Sequence, residues 1–201
     1  MRFLTKEIEK LTLIDFILPK IENKILALLK EVVLILSFTF LTGICAKLKI
    51  EIGSVPITMQ TFAVLLSGAL LGKIRGALSQ ITYLFLGLTG FPFFARGGGL
   101  FYIMSPTFGY IIGFVLASFF VGWFCERGFD RTIKTLIFAM ILGNLILYLP
   151  GLLWLAKFVG FERVLKVGFY PFLIGDVFKI LLICFSLPFF WQVVKKYKKE
   201  F

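Results

Sequence analysis

The feature that most constrains this chain is the segregation of its charges from its apolar residues. Charged side chains gather in short clusters, and the runs between them, such as the stretch from Glu31 to Lys47, are long enough to cross a hydrocarbon core. Across 201 residues, 59% are hydrophobic and the mean hydropathy is +0.97. A soluble domain of this length has too much surface relative to its volume to hide that fraction. Lipid is the solvent that accepts it. The formal net charge of +11 does not point to nucleic acid, because the basic residues flank the apolar runs, where they act as topology signals and headgroup contacts.

The pattern predicts an all-α integral membrane protein with six transmembrane helices, at about residues 25–46, 56–72, 76–90, 106–124, 132–156 and 171–194. Pro56 is expected to open the second helix, and Ser105-Pro106 to cap and start the fourth. Pro150-Gly151 is expected to interrupt the fifth. Residues 1–30 form a separate amphipathic segment, with Leu4, Ile8, Leu11 and Leu18 near one face and Pro19 as a break, suited to lie on the membrane surface. The transmembrane domain occupies 31–201. With the amino terminus inside, Lys73, Arg75, Arg127, Arg131 and Lys134 join the basic amino-terminal segment and the tail on the cytoplasmic side. Lys47, Lys49, Arg96, Lys157, Arg163 and Lys166 are left outside, so the basic excess places both termini in the cytoplasm.

Small residues recur at a spacing of four: Gly68, Gly72 and Gly76, then Gly109 with Gly113, and Ser118 with Gly122. Such positions let helix backbones approach closely in lipid. Thr42 with Ala46, or Thr39 with Gly43, could serve the same purpose inside the bundle or face another protein.

Ionisable groups at membrane depth are costly and tend to mark function. Asp176 is the one acidic residue within the apolar parts of the spans, and Lys179 follows three positions later on the same helical face. The two can neutralise each other as a structural pair. They can also bind a urea-like ligand, the carboxylate accepting its N–H groups and the ammonium donating to its carbonyl. Gln60, Tyr83 and Asn144 fall at comparable depth in other helices, and their convergence favours a binding site over isolated helix contacts. Gln80 lies deeper and reads as structural. Arg96 and the glycines after it form an outer loop that could offer a guanidinium and backbone amides to an anion, or be a flexible loop. Cys45, Cys125 and Cys184 are far apart and histidine is absent, so neither a metal site nor a cofactor is expected. No nucleotide-hydrolysis motif is present.

The run VPITMQTFAVLLSGALLGKIRGALSQITYLFLGLTGFPFFARGGG, followed by SPTFGYIIGF, resembles the BioY family, the biotin-specific substrate-binding (S) components of energy-coupling factor (ECF) transporters. The resemblance is close over 55–115 and looser through GDVFK. It implies an S-component bundle with an outward-facing biotin pocket capped by loops. Asp176, Lys179 and Asn144 would meet the ureido ring, Tyr83 and Gln60 would shape the pocket, and Arg96 with Gly97, Gly98 and Gly99 would hold the valerate carboxylate. It also implies partners: a transmembrane coupling protein and two ABC-type ATPases in the cell membrane. A small-residue face on the first helix would dock the coupling protein, with Thr42/Ala46 and Thr39/Gly43 the nearest matches. An S component for riboflavin or thiamine is the alternative. An intramembrane enzyme would need a nucleophile with a base, or metal ligands, which these spans nearly lack.

Overall fold

The computed structural model describes residues 12–18, 21–51 and 53–197. Leu4, Ile8, Leu11 and Pro19 lie outside them, as does the end of the tail. Thr12 caps the short helix α1 (Leu13–Ile17), its hydroxyl accepting from the Asp15 amide at 3.2 Å. Asn23 caps α2 (Lys24–Lys47) through the amides of Ile25 and Leu26. Strands β1 (Lys49–Ile50) and β2 (Ile57–Thr58) pair antiparallel, Lys49 opposite Thr58. There follow α3 (Gln60–Leu71), α4 (Lys73–Leu88), α5 (Phe108–Cys125), α6 (Ile133–Val159), α7 (Val164–Gly168) and α8 (Leu173–Tyr197), with 3-10 turns at Leu100–Met104, Phe129–Arg131 and Tyr170–Phe172.

Four helical stretches are long and apolar enough to cross a membrane: Lys24–Lys47, Phe108–Cys125, Ile133–Val159 and Val164–Lys196. They carry large apolar side chains on their outer faces, among them Val33, Ile44, Leu149, Ile174 and Phe178. The fold is that of a multi-pass membrane protein. Helix α3, with 12 residues, rises only about 18 Å, less than a hydrocarbon core of about 30 Å.

Helix α5 is the centre of the bundle, packed on α3, α4 and α6. Its neighbours reach it through the small residues. A Cβ added to Gly68 would strike the Ser118 carbonyl, one on Gly113 the Leu147 backbone, and one on Gly122 the α3–α4 junction at Gly72 and Lys73. These contacts bring backbones together at distances that any side chain would forbid. The α2 face is used in the same way. Thr39, Thr42 and Ala46 are buried, the Thr39 hydroxyl lies 2.9 Å from the Ser79 carbonyl of α4, and a Cβ on Gly43 would sit 3.2 Å from the Phe93 ring. That small-residue face is therefore turned inward.

Three proline expectations are corrected. Pro56 does not open a helix: residues 57–58 pair with β1, and α3 starts at Gln60. Pro150 does not interrupt α6, which runs unbroken from Ile133 to Val159. The proline removes one bond from the ladder, and Gly109 of α5 packs closely on the Pro150 carbonyl. Likewise α5 begins at Phe108, because Ser105 is taken up in closing the preceding 3-10 turn.

One end of the bundle is tied by charge. Arg75 pairs with Asp15 of α1 at 2.6 Å and with Glu31 of α2, and Lys73 pairs with Glu126 at 3.4 Å. Thr12 and Leu13 are buried there, so α1 docks against the bundle. Nearby, the fully buried Asp130 accepts a hydrogen bond from the Trp191 indole at 2.6 Å, beneath the Arg131 guanidinium, which stacks 3.2 Å from that ring. Burial pushes the Asp130 carboxyl up to about 6, against the opposing pull of Arg131 and Trp191. A carboxyl whose pKa is raised on folding stabilises the fold when protonated, and that contribution is lost as pH rises from about 4 through about 6. Asp130→Asn, which keeps an acceptor for Trp191, should therefore raise the melting temperature relative to the parent at pH 8 more than at pH 5. Thermal unfolding in detergent at both pH values checks this.

Candidate binding site

A cavity opens between α3, α5, α6 and α8, at the end of the bundle where the β1–β2 connection and the loop after α4 meet. The bundle supplies an apolar wall of Ile111, Phe114, Leu147 and Phe172, and the two loops supply Val55, Thr58 and Ala95.

At its floor Asp176 and Lys179 face the cavity together, only 3% and 4% exposed. The Lys179 ammonium donates to Asp176 Oδ1 at 3.1 Å and to the Thr61 hydroxyl at 2.8 Å. Thr61 in turn approaches Asp176 Oδ1 at 3.3 Å, and the Tyr148 hydroxyl donates to Asp176 Oδ2. Burying two opposite charges in an apolar bundle is tolerable only with such saturation. An ammonium has three N–H groups, and two have partners among the described residues. A carboxylate offers about four lone pairs, of which three are engaged.

Gln60, the first residue of α3, also lines the cavity. Its carbonyl accepts from Thr58 at 2.9 Å, and its amide donates to Tyr83 at 2.7 Å. Tyr83 donates onward to the Phe93 carbonyl at 3.1 Å. Tyr83 is wholly buried and lies behind Gln60 rather than on the cavity wall, so it positions Gln60 and anchors the loop.

Asn144 is not brought to this cavity. It lines a separate groove between α6 and α8, and its Oδ1 is buried without a hydrogen-bond partner among the described residues. Arg96 lies at the exposed rim, where its guanidinium meets Glu51 at 2.6 Å and donates to the carbonyls of Gly53 and Ser54. The Arg96 and Lys49 side chains hold the Glu51 carboxyl down at about 2, so this tie between the two loops persists across ordinary pH. The glycine amides are turned inward. Gly97 donates to Phe94 at 3.2 Å and Gly99 to Gly87 at 2.7 Å, while Gly98 packs so closely on the Phe91 carbonyl that no side chain would fit. The loop is a built turn, with Gly97 and Gly99 at positive φ, rather than an open cradle of N–H groups. Thr61 and Tyr148 went unrecognised in the sequence, although Thr61 adjoins Gln60 and Tyr148 stands one helical turn after Asn144.

The BioY family model matches residues 10–196. Over 151 residues the chain is 42% identical to a probable biotin transporter BioY of Pyrococcus horikoshii, an alignment covering 75% of this chain and 89% of that protein. It is 35% identical over 147 residues to the biotin transporter BioY of Thermotoga maritima, covering 72% and 86%. The crystal structure of the S-component for biotin from an ECF-type ABC transporter shares the fold, with a TM-score of 0.63, 23% identity, and coverage of 90% of this chain and 95% of that one.

Tyr83→Phe should test the positioning role. Loss of the hydroxyl strands the Gln60 amide and the Phe93 carbonyl, at a cost of about 1–2 kcal/mol in unfolding stability by denaturant titration in mixed micelles.

Proposed function

This chain belongs to the BioY family, and we propose that it captures biotin from the outer side of the cell membrane for ATP-driven import. Its role is that of a substrate-binding transport subunit rather than an enzyme. The relatives bear the name biotin transporter, and the observation that carries the reading here is the buried Asp176–Lys179 pair at the floor of an otherwise apolar cavity. Biotin presents a ureido group at one end, an aliphatic chain, and a carboxylate at the other. The third N–H of Lys179 suits the ureido carbonyl, and Asp176 suits a ureido N–H. The bicyclic body and the chain match the wall of Ile111, Phe114 and Leu147, with Gln60, held by Tyr83, alongside.

The carboxylate would then point to the rim. Of the five guanidinium N–H groups on Arg96, Glu51 and two carbonyls engage most, which leaves room for one further acceptor, or for exchange with Glu51. In this arrangement the turn at Gly97 and Gly98 presents Arg96 over the mouth. In this reading the short helices α3 and α4 join α2, α5, α6 and α8 in a six-helix bundle, with both termini in the cytoplasm and the cavity opening outward. Lacking any nucleotide-hydrolysis motif, the chain would draw its energy from an ECF transmembrane coupling protein and its ABC-type ATPases.

The primary test is equilibrium binding of labelled biotin to the purified protein in detergent, with riboflavin and thiamine as competitors. Saturable binding displaced by biotin alone is expected. A folded sample that binds no biotin, or yields it to either competitor, refutes the assignment. Asp176→Asn should weaken biotin by about 100-fold, because it takes the charge from one partner of a buried pair. Normal affinity in a variant whose melting temperature has collapsed would reduce the pair to a structural role.

A further inference from the structure

At the end of the bundle away from the cavity, another groove runs between the start of α6 and the last turns of α8. On the α8 side it is lined by Phe185, Phe189 and Gln192, spaced i, i+4, i+7 along one helical face. Phe185 and Phe189 are 62% and 60% exposed, part of the apolar surface that α8 turns to lipid. Gln192 lies seven residues beyond Phe185, about 10 Å nearer the end of the bundle. On the α6 side the lining is Ile133, Lys134 and the cap Thr132. The groove therefore changes along its length from exposed aromatic rings to amide, hydroxyl and ammonium groups. Its polar end is also positive. Arg131 lies there, engaged with the buried Asp130 at 3.5 Å and with the Trp191 ring, so those two charges offset each other. Lys134 is exposed and has no ion pair among the described residues, and Lys195 stands 5.5 Å from the Trp191 ring. The Thr132 hydroxyl takes the Thr135 amide at 3.5 Å. The Ile133 and Lys134 amides, in the first turn, have no acceptor within the helix, and the positive end of α6 adds to the field.

We infer that this groove seats an anionic phospholipid of the leaflet at that end of the bundle. One acyl chain lies along Phe185 and Phe189, and Lys134, Gln192 and the first-turn amides of α6 hold the phosphodiester. Two features select a lipid over a free phosphate ion. The apolar half of the groove is continuous with the lipid-facing surface of α8. Its polarity also changes along the bundle axis in the sense of a phospholipid, with the chain toward the middle of the bundle and the headgroup at its end. Basic pockets between membrane-spanning helices recognise anionic headgroups in this way. The uncompensated Lys134 and Lys195 favour a headgroup of net negative charge, because the ammonium of a zwitterionic one would meet like charge. The inference is independent of what the cavity binds.

Dioleoylphosphatidylglycerol titrated into the purified protein in mixed micelles should raise the melting temperature saturably, and dioleoylphosphatidylcholine should not. Lys134→Gln should raise the phosphatidylglycerol concentration at half-maximal stabilisation about fivefold, the worth of one lysine at an anionic surface. It should leave the melting temperature without lipid unchanged, because Lys134 is exposed and unpaired. Lys166→Gln, the same charge change on α7 near the cavity, should move the half-point by less than about twofold. Equal shifts in the two variants would reduce the effect to diffuse charge attraction and overturn the inference. Equal stabilisation by phosphatidylcholine, or none by either lipid, would overturn it too. So would equal stabilisation by inorganic phosphate, which would make the groove an ion site. To place the chain, phosphatidylglycerol with a diazirine in one acyl chain should crosslink to the segment holding Phe185 and Phe189, and unlabelled phosphatidylglycerol should compete it away. Labelling there that excess unlabelled lipid does not displace would mark bulk bilayer contact, and no labelling there would leave the groove to some other occupant; either result refutes the site.

Discussion

Everything distinctive in this molecule depends on burying the Asp176 carboxyl group and the Lys179 amine together inside an apolar bundle. Asp176 and Lys179 are both nearly inaccessible, and their mutual attraction offsets desolvation only because Thr61 and Tyr148 complete the shell. Those two residues come from α3 and α6, whereas the charged pair sits on α8. The cluster therefore exists only when three helices are in register, and its polarity specifies that register in return.

Helix register in lipid cannot come from hydrophobic exclusion, since the tails are as apolar as the side chains. It comes here from backbone proximity. Gly68, Gly113 and Gly122 press α3, α6 and the α3–α4 junction onto α5, and the hydroxyls of Ser67 and Ser118 meet at 2.8 Å across the closest approach. Below, Gln80 spends its amide on Thr42, Ser67 and Ser79, a polar core that ties α2, α3 and α4. The cavity lies directly above this rigid part and inherits its geometry.

Much of this was legible in the sequence, for physical reasons that differ by residue. The Asp176–Lys179 spacing on one apolar helix announces a shared face, and Gln60 stands out because polar side chains are rare at that depth. The glycine spacing announced close packing, although which helix each glycine would meet was not written in it. What escaped depended on partners distant in sequence. Arg96 reads as a free guanidinium until folding brings Glu51, 45 positions away, against it. Tyr83 reads as a pocket residue until its ring is seen behind Gln60, and Asn144 until Tyr148, one turn further along the same face of α6, is found at the cavity instead. Which turn of a helix meets the cavity is set by tertiary packing, and periodicity alone leaves it open. The short pairing of 49–50 with 57–58 overrode the helix-starting preference of Pro56 in the same way.

The tie between Arg96 and Glu51 lies at the rim. Both side chains are solvent-exposed, and ion pairs in that setting contribute little and fade with salt. The tie between the two loops is therefore weak beside the buried cluster at the other end of the cavity, and the surface charges that form it can change without disturbing the packing below.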